Sequence, residues 1–264
     1  MKLNIVPART GTRWARDGVR TFFKQPLALL GLFLTFFVSF YLMTRIPFVG
    51  GVLALVLVPA AMVGLMAGAR EADSGRFPMP LTLAVALRQG PQPRRAILML
   101  GAIYAVVVMM AIGVSAMIDG GGFAELYISG GDLTDEMIQE ESFRSAMWAF
   151  SLLYLPISIA FWHAPALVHW HGVSPLKSLF FSTVAVFRNL GALFIYGLVW
   201  MAISFAAGLL LVIIVVITGS ATIAKFGLMP IALITSVMFF SSLWFTFRDS
   251  FTADQELSPI TPQP

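Results

Sequence analysis

The chain has 264 residues, is 58% hydrophobic and 11% charged, carries a net charge of +4 and contains no cysteine. A soluble domain is about 45–50% apolar and about 25% charged, so the apolar surplus cannot be hidden in one core and must face lipid. Disulfides, thiolate metal sites and cysteine nucleophiles are excluded, and the basic residues sit beside apolar segments, where they act as topology signals rather than as a nucleic-acid-binding module.

In chain order, the first element is an amphipathic helix over 8–25. Trp14, Gly18 and Phe22 share one stripe, with Arg13, Arg16, Arg20 and Lys24 elsewhere. Such a helix is expected at the headgroup level with its apolar face down. Arg13, Trp14, Arg16, Arg20 and Lys24 are then interfacial lipid contacts, together with Arg88 and Arg188 beside later spans.

About 20 apolar residues cross a bilayer core. Six stretches qualify, at 27–43, 48–69, 96–118, 145–168, 190–217 and 226–247. The first two are joined by Thr44-Arg45-Ile46-Pro47, a tight hairpin in which Pro47 is placed to start the second helix. Residues 1–250 thus read as a single six-span, all-α membrane domain, and the proline-rich 251–264 as a disordered cytoplasmic tail.

The 119–143 segment is an acidic exterior loop. Gly120-Gly121-Gly122 and Gly130-Gly131 make it flexible, and Thr134 is placed to N-cap a short surface helix with Met137 packing inward. Fourteen of the 17 basic residues fall on the side of the termini, and Arg45, Arg144 and Lys225 on the other. The positive-inside rule then places both termini in the cytoplasm.

Three stretches look alike. Each has a short amphipathic segment, a basic–amide pair (Lys24-Gln25, Arg88-Gln89, Arg188-Asn189), a span without internal proline, and a span with proline. The pattern suggests three pseudo-repeated hairpins, parallel to one another and unlike the inverted repeats of many transporters.

Candidate sites are few. No Asp, Glu, Lys or Arg lies well inside a span, which argues against ion-coupled transport or pumping. His163, His169 and His171 lie in one segment and do not converge as about four metal ligands would. They read as interfacial histidines beside Trp162 and Trp170, with no metal or haem. Ala60, Gly64 and Gly68 are small residues four apart, a helix-packing groove or a face for a partner, and Ser204-x3-Gly208 is a weaker example. Pro59, Pro156, Pro165 and Pro230 can kink their helices or frame a cavity. No catalytic motif, cofactor motif or phosphate loop is present.

Further features carry a family resemblance. These are Val6-Pro-Ala-Arg-x-Gly11, Trp14, Phe23-Lys-Gln-Pro26, Gly172-Val-Ser-Pro-Leu176 with Ser178, Ser182 and Asn189, and Phe247-Arg-Asp-Ser-Phe251. With them the chain resembles a family of bacterial six-helix inner-membrane proteins built on a domain of unknown function. The resemblance implies six helices in the inner membrane and brings no activity with it. The reading is a non-enzymatic accessory or scaffold protein that packs against a membrane complex or anionic lipids. The alternative is an uncoupled transporter or channel for a hydrophobic or amphipathic solute.

Overall fold

The computed structural model describes residues 2–129 and 133–252. Gly130-Gly131, Asp132 and residues 253–264 of the expected tail lie outside the described residues. In order, the elements are β1 (Lys2–Leu3), α1 (Thr10–Lys24), α2 (Pro26–Thr44), α3 (Gly50–Asp73), a 3-10 helix (Pro80–Leu87) and α4 (Pro91–Asp119). They continue with α5 (Gly122–Ser129), α6 (Asp135–Gln139), α7 (Glu141–Phe161), α8 (Ala164–His171) and α9 (Pro175–Arg188). Last come α10 (Leu190–Thr218), α11 (Ala221–Phe226), α12 (Leu228–Ser250) and β2 (Phe251–Thr252). The six segments long and apolar enough to cross a bilayer are α2, α3, α4, α7 with α8, α10 and α12. The order short helix, span, span occurs three times.

Several boundaries differ from the sequence reading, each for a local reason. The second span starts at Gly50 rather than at Pro47. The Val49 N–H donates to the Pro47 carbonyl (2.8 Å) and the Gly50 N–H to the Ile46 carbonyl (3.0 Å), which closes a turn. Phe48 lies within that turn at φ +64°. The third span begins early, at Pro91, because proline suits the first helical turn. The sixth begins at Leu228, and Phe226 belongs to the separate α11, N-capped by Ser220, whose Oγ accepts from the Ile223 N–H (3.3 Å).

The described residues of the acidic segment form α5 and α6 where a flexible loop was expected. Asp119 accepts from the Gly121 N–H (2.9 Å) and the Phe123 N–H (2.6 Å), so its carboxylate caps the start of α5. Phe123 then packs on Phe143 and Phe150. Thr134 caps α6 by accepting from the Met137 N–H (3.3 Å), and Met137 packs against the same aromatic cluster. That part follows the sequence expectation.

The chain forms two compact units. The first draws on Met1–Leu34, Gly64–Thr82 and Ala185–Pro264. Here α1 packs against α10 and α12. A Cβ at Gly11 would overlap the Ala192 carbonyl, and one at Gly18 would overlap Ser242 Cβ. Trp14 meets Tyr196 edge-on at 6.2 Å, and Tyr196 and Ser242 share a hydroxyl hydrogen bond of 2.5 Å. β1 pairs antiparallel with β2, Lys2 opposite Thr252. Phe251 and Thr252, read from the sequence as the start of a tail, are therefore strand-paired.

The second unit draws on Thr35–Val63 and Leu83–Val184. α4 packs along α7, with Val108, Ala111, Ile112, Ala146 and Phe150 in the shared core. Tyr104 and Tyr154 join hydroxyls at 2.9 Å. Gly101 lies on the Val56 carbonyl of α3, where a Cβ would not fit. A second cluster gathers Ala60, Val63, Ala86, Ile97, Leu100, Ala164 and Val168.

Within the helices, glycine is therefore required where backbones touch and dispensable where nothing faces its Cα. Gly18→Val is expected to lift α1 off α12, lowering the thermal unfolding temperature in detergent and speeding proteolysis at Arg16 and Arg20. Gly197→Ala on α10 has no neighbour within 4 Å of the new Cβ and is expected to unfold at or above the wild-type temperature.

Candidate functional site

The amphipathic stripe of α1 faces protein, not lipid. Trp14 is 0% exposed. Its indole N–H donates to Asp249 Oδ2 (3.0 Å), which also accepts from Arg13 Nη2 (2.8 Å). Arg248 Nε donates to Asp249 Oδ1 (2.8 Å). Trp14 as an interfacial lipid contact is thus corrected: stripe periodicity reports an apolar face but not whether lipid or protein covers it. Arg13, Arg16, Arg20, Lys24, Arg88 and Arg188 are exposed. Three of them are ion-paired, Arg13 with Asp249 (2.8 Å), Lys24 with Asp73 (2.6 Å) and, more loosely, Arg16 with Asp17 (3.9 Å).

The histidines also separate. Pro165 cannot continue a helix from α7, and the chain breaks between Phe161 and Ala164. His163 lies in that break and is 2% exposed, so the interfacial reading is corrected for it. Its backbone N–H donates to Ser182 Oγ (2.9 Å), and that hydroxyl donates to the Ile159 carbonyl (3.2 Å). One buried serine on α9 thereby serves both backbone groups freed by the break. His169 faces Gln89, with 3.3 Å between their Nε2 atoms, and its ring meets Trp170 edge-on at 5.0 Å. Among the described residues no group of three or more His, Asp or Glu could hold a metal.

Ala60, Gly64 and Gly68 are all buried. A Cβ at Gly68 would overlap Leu32 of α2. The stripe therefore serves internal packing, and its reading as a partner face is withdrawn. The prolines are used in different ways. Pro59 is buried inside α3, Pro156 is exposed inside α7, Pro165 opens α8, and Pro230 sits in the first turn of α12, where a missing N–H costs nothing. None of the four itself lines the groove between α10 and α12 or the one beside the α2–α3 turn, although Leu228 and Ile231 around Pro230 and Val58 next to Pro59 do.

The surface that stands out lies on α10 and α12. None of the 18 residues in the most apolar window of α10 is buried. Beside it runs a groove of about 370 Å³ whose walls include Trp200, Ser204, Gly208, Thr235, Ser236 and Phe239. Elsewhere in the spans, hydroxyls fold back onto their own helices. Ser115, Ser151, Ser158, Thr218, Ser241 and Thr246 each donate to a carbonyl three or four residues earlier. Ser204, Thr235 and Ser236 do not: among the described residues none of these three hydroxyls has a hydrogen-bond partner. Ser204-x3-Gly208 was visible in the sequence. That Thr235 and Ser236 converge on it was not, since the helices are joined only through α11.

Outside the spans, burial and then the neighbouring Tyr154 push the Tyr127 phenol above its ordinary pKa. The backbone N–H of Glu136 and the Thr134 hydroxyl hold the exposed Glu136 carboxyl below its own.

Six apolar spans with helices throughout define an all-α, multi-pass membrane protein. A probable inner membrane protein of Burkholderia thailandensis is 33% identical over 265 residues, covering 99% of this chain and 98% of that protein. The chain belongs to the family of that inner membrane protein. No family model and no solved structure matches it.

The break in the fourth span gives a test of this packing. Ser182→Ala leaves the His163 N–H without its acceptor and the Ile159 carbonyl with only the long Trp162 N–H contact (3.4 Å), and is expected to cost about 1–3 kcal/mol, read as a lower unfolding temperature in detergent. Ser178→Ala, whose hydroxyl only bonds back to Pro175 of its own helix (2.7 Å), is expected to cost less.

Proposed function

We propose that the chain is a non-enzymatic accessory or scaffold protein of the inner membrane, and that it receives a transmembrane helix of a partner complex in the groove between α10 and α12. The observation that carries this reading is the trio of unbonded hydroxyls, Ser204, Thr235 and Ser236, in an apolar groove on exposed spans. Hydrocarbon offers such groups nothing, and an unpaired hydroxyl there is costly. A helix with small residues and a side-chain hydrogen-bonding group supplies both close approach and partners. The exposed Arg16, Arg20, Arg88 and Arg188 complement the anionic lipid of the cytoplasmic leaflet.

An uncoupled transporter for an amphipathic solute would use a cavity along the proline-interrupted spans. None of the four prolines itself lines either groove, which supports the scaffold reading. The charge count also supports cytoplasmic termini.

A photo-reactive residue at position 204, in native membranes, is expected to give one defined adduct at fixed stoichiometry. Ser236→Leu should abolish that adduct, and the same probe at lipid-facing Leu210 should give none. Equal, diffuse labelling at 204 and 210 would remove the docking reading. Because the chain has no cysteine, single cysteines at positions 12 and 136 test the orientation directly. Residue 136 should react with an impermeant thiol reagent from outside the inner membrane, and residue 12 only after permeabilisation.

A further inference from the structure

A second, larger groove lies within the other unit, on the side of the α2–α3 turn. It encloses about 870 Å³, within the roughly 300–1,000 Å³ of small-ligand sites. Its apolar floor includes Leu55, Val58, Met109 and Ile112. Tyr127 and Ile128 of α5 wall one side, and Arg45 and Phe48 stand on the turn at its edge.

Three features set this groove apart from ordinary lipid-facing surface. First, Arg45 has no carboxylate partner among the described residues. Its Nη2 donates to the Tyr41 hydroxyl (2.7 Å) and its guanidinium lies over the Tyr41 ring at 4.6 Å, so neither contact neutralises the charge. Second, the acidic groups on the flanking segment, Asp119 and Glu125, do not line the groove, and Asp119 is already bonded to two amides of α5. Third, the turn is held in an unfavourable state. Phe48 is a bulky residue at φ +64° with its ring fully exposed, a conformation that costs of the order of 1–3 kcal/mol and clusters at binding sites.

An apolar trough with one uncompensated guanidinium at its edge is complementary to an amphiphile with an apolar chain and an anionic head. The planar guanidinium fork fits phosphate oxygens two at a time. We propose that this groove is a binding site for an anionic glycerophospholipid, an acyl chain lying along Leu55 and Met109 and the phosphate held by Arg45. The site shares no lining residue with the α10/α12 groove. It depends on the accessory-protein reading only for the membrane itself, so either can fail alone.

The test is native mass spectrometry of the full chain in detergent, offered equal amounts of phosphatidylglycerol and phosphatidylcholine. Wild type is expected to retain phosphatidylglycerol with about a tenfold preference, the scale of one charge-assisted contact. Arg45→Gln should bring the two lipids to near parity. Arg144→Gln, an equal charge change on an exposed residue of the same side, should keep the preference. Val52→Trp, which puts an indole into the groove from an exposed position, should lose retention of both lipids. Equal retention of the two lipids by wild type would overturn the proposal without reference to any variant. So would an unchanged preference in Arg45→Gln, or a stable dimer that cross-links at position 48 and excludes both lipids.

Discussion

A bilayer core gives an interrupted backbone nothing to bond to, and much of this structure follows from that one constraint. Where Pro165 ends the helical run of the fourth span, the freed Ile159 carbonyl and His163 N–H are both served by Ser182 from α9. Where the chain enters from the N-terminus, Asn189 accepts from the Val6 N–H (2.9 Å) and donates to the Asn4 carbonyl (3.0 Å). Where α4 ends, Asp119 takes the first amides of α5. The short helices are therefore more than surface decoration, because α9 brings the polar atom that a broken span requires.

The same constraint explains which span each short helix leans on. α1 packs on α12, the 3-10 helix reaches α3 through Thr82 and Glu71 (3.3 Å), and α9 serves the break between α7 and α8. In each case the support is the second span of another hairpin. In the first and third, a buried polar side chain sits at the contact: Trp14 on Asp249, and Ser182 on the Ile159–His163 break. Motif residues that resemble the family's, Trp14, Ser182, Asn189 and Asp249, are thus mainly the ones that hold short helices and termini in place.

This also marks what could be read from the sequence and what could not. Six spans were legible because length and apolarity are one-dimensional properties. Thr134 and Met137 were legible because a cap and its packing partner are three residues apart. The face of α1 was not, since a stripe for lipid and a stripe for protein have the same period. Gly11 and Gly18 on that stripe were the available sign of close backbone approach, as their neighbours on α10 and α12 show. Nor could residue type separate Pro156, which remains within α7, from Pro165, which ends one helix and opens the next. His163 was misplaced for that reason, because angular arithmetic along one helix fails across a break.

Polar groups sort into two populations once the packing is known. One is consumed by folding: the back-bonded serines, the Tyr104–Tyr154 pair, and Asp249 with its three donors. The other does nothing for this chain alone. Among the described residues, Ser204, Thr235 and Ser236 sit unbonded in one groove, and Arg45 carries a charge that no carboxylate attends. Placing such groups on apolar surface is unfavourable unless something arrives to pair them. The pairing each needs is different. Neutral hydroxyls within a span match the polar side chains and backbone of a helix, whereas a guanidinium at the end of a span matches a phosphate.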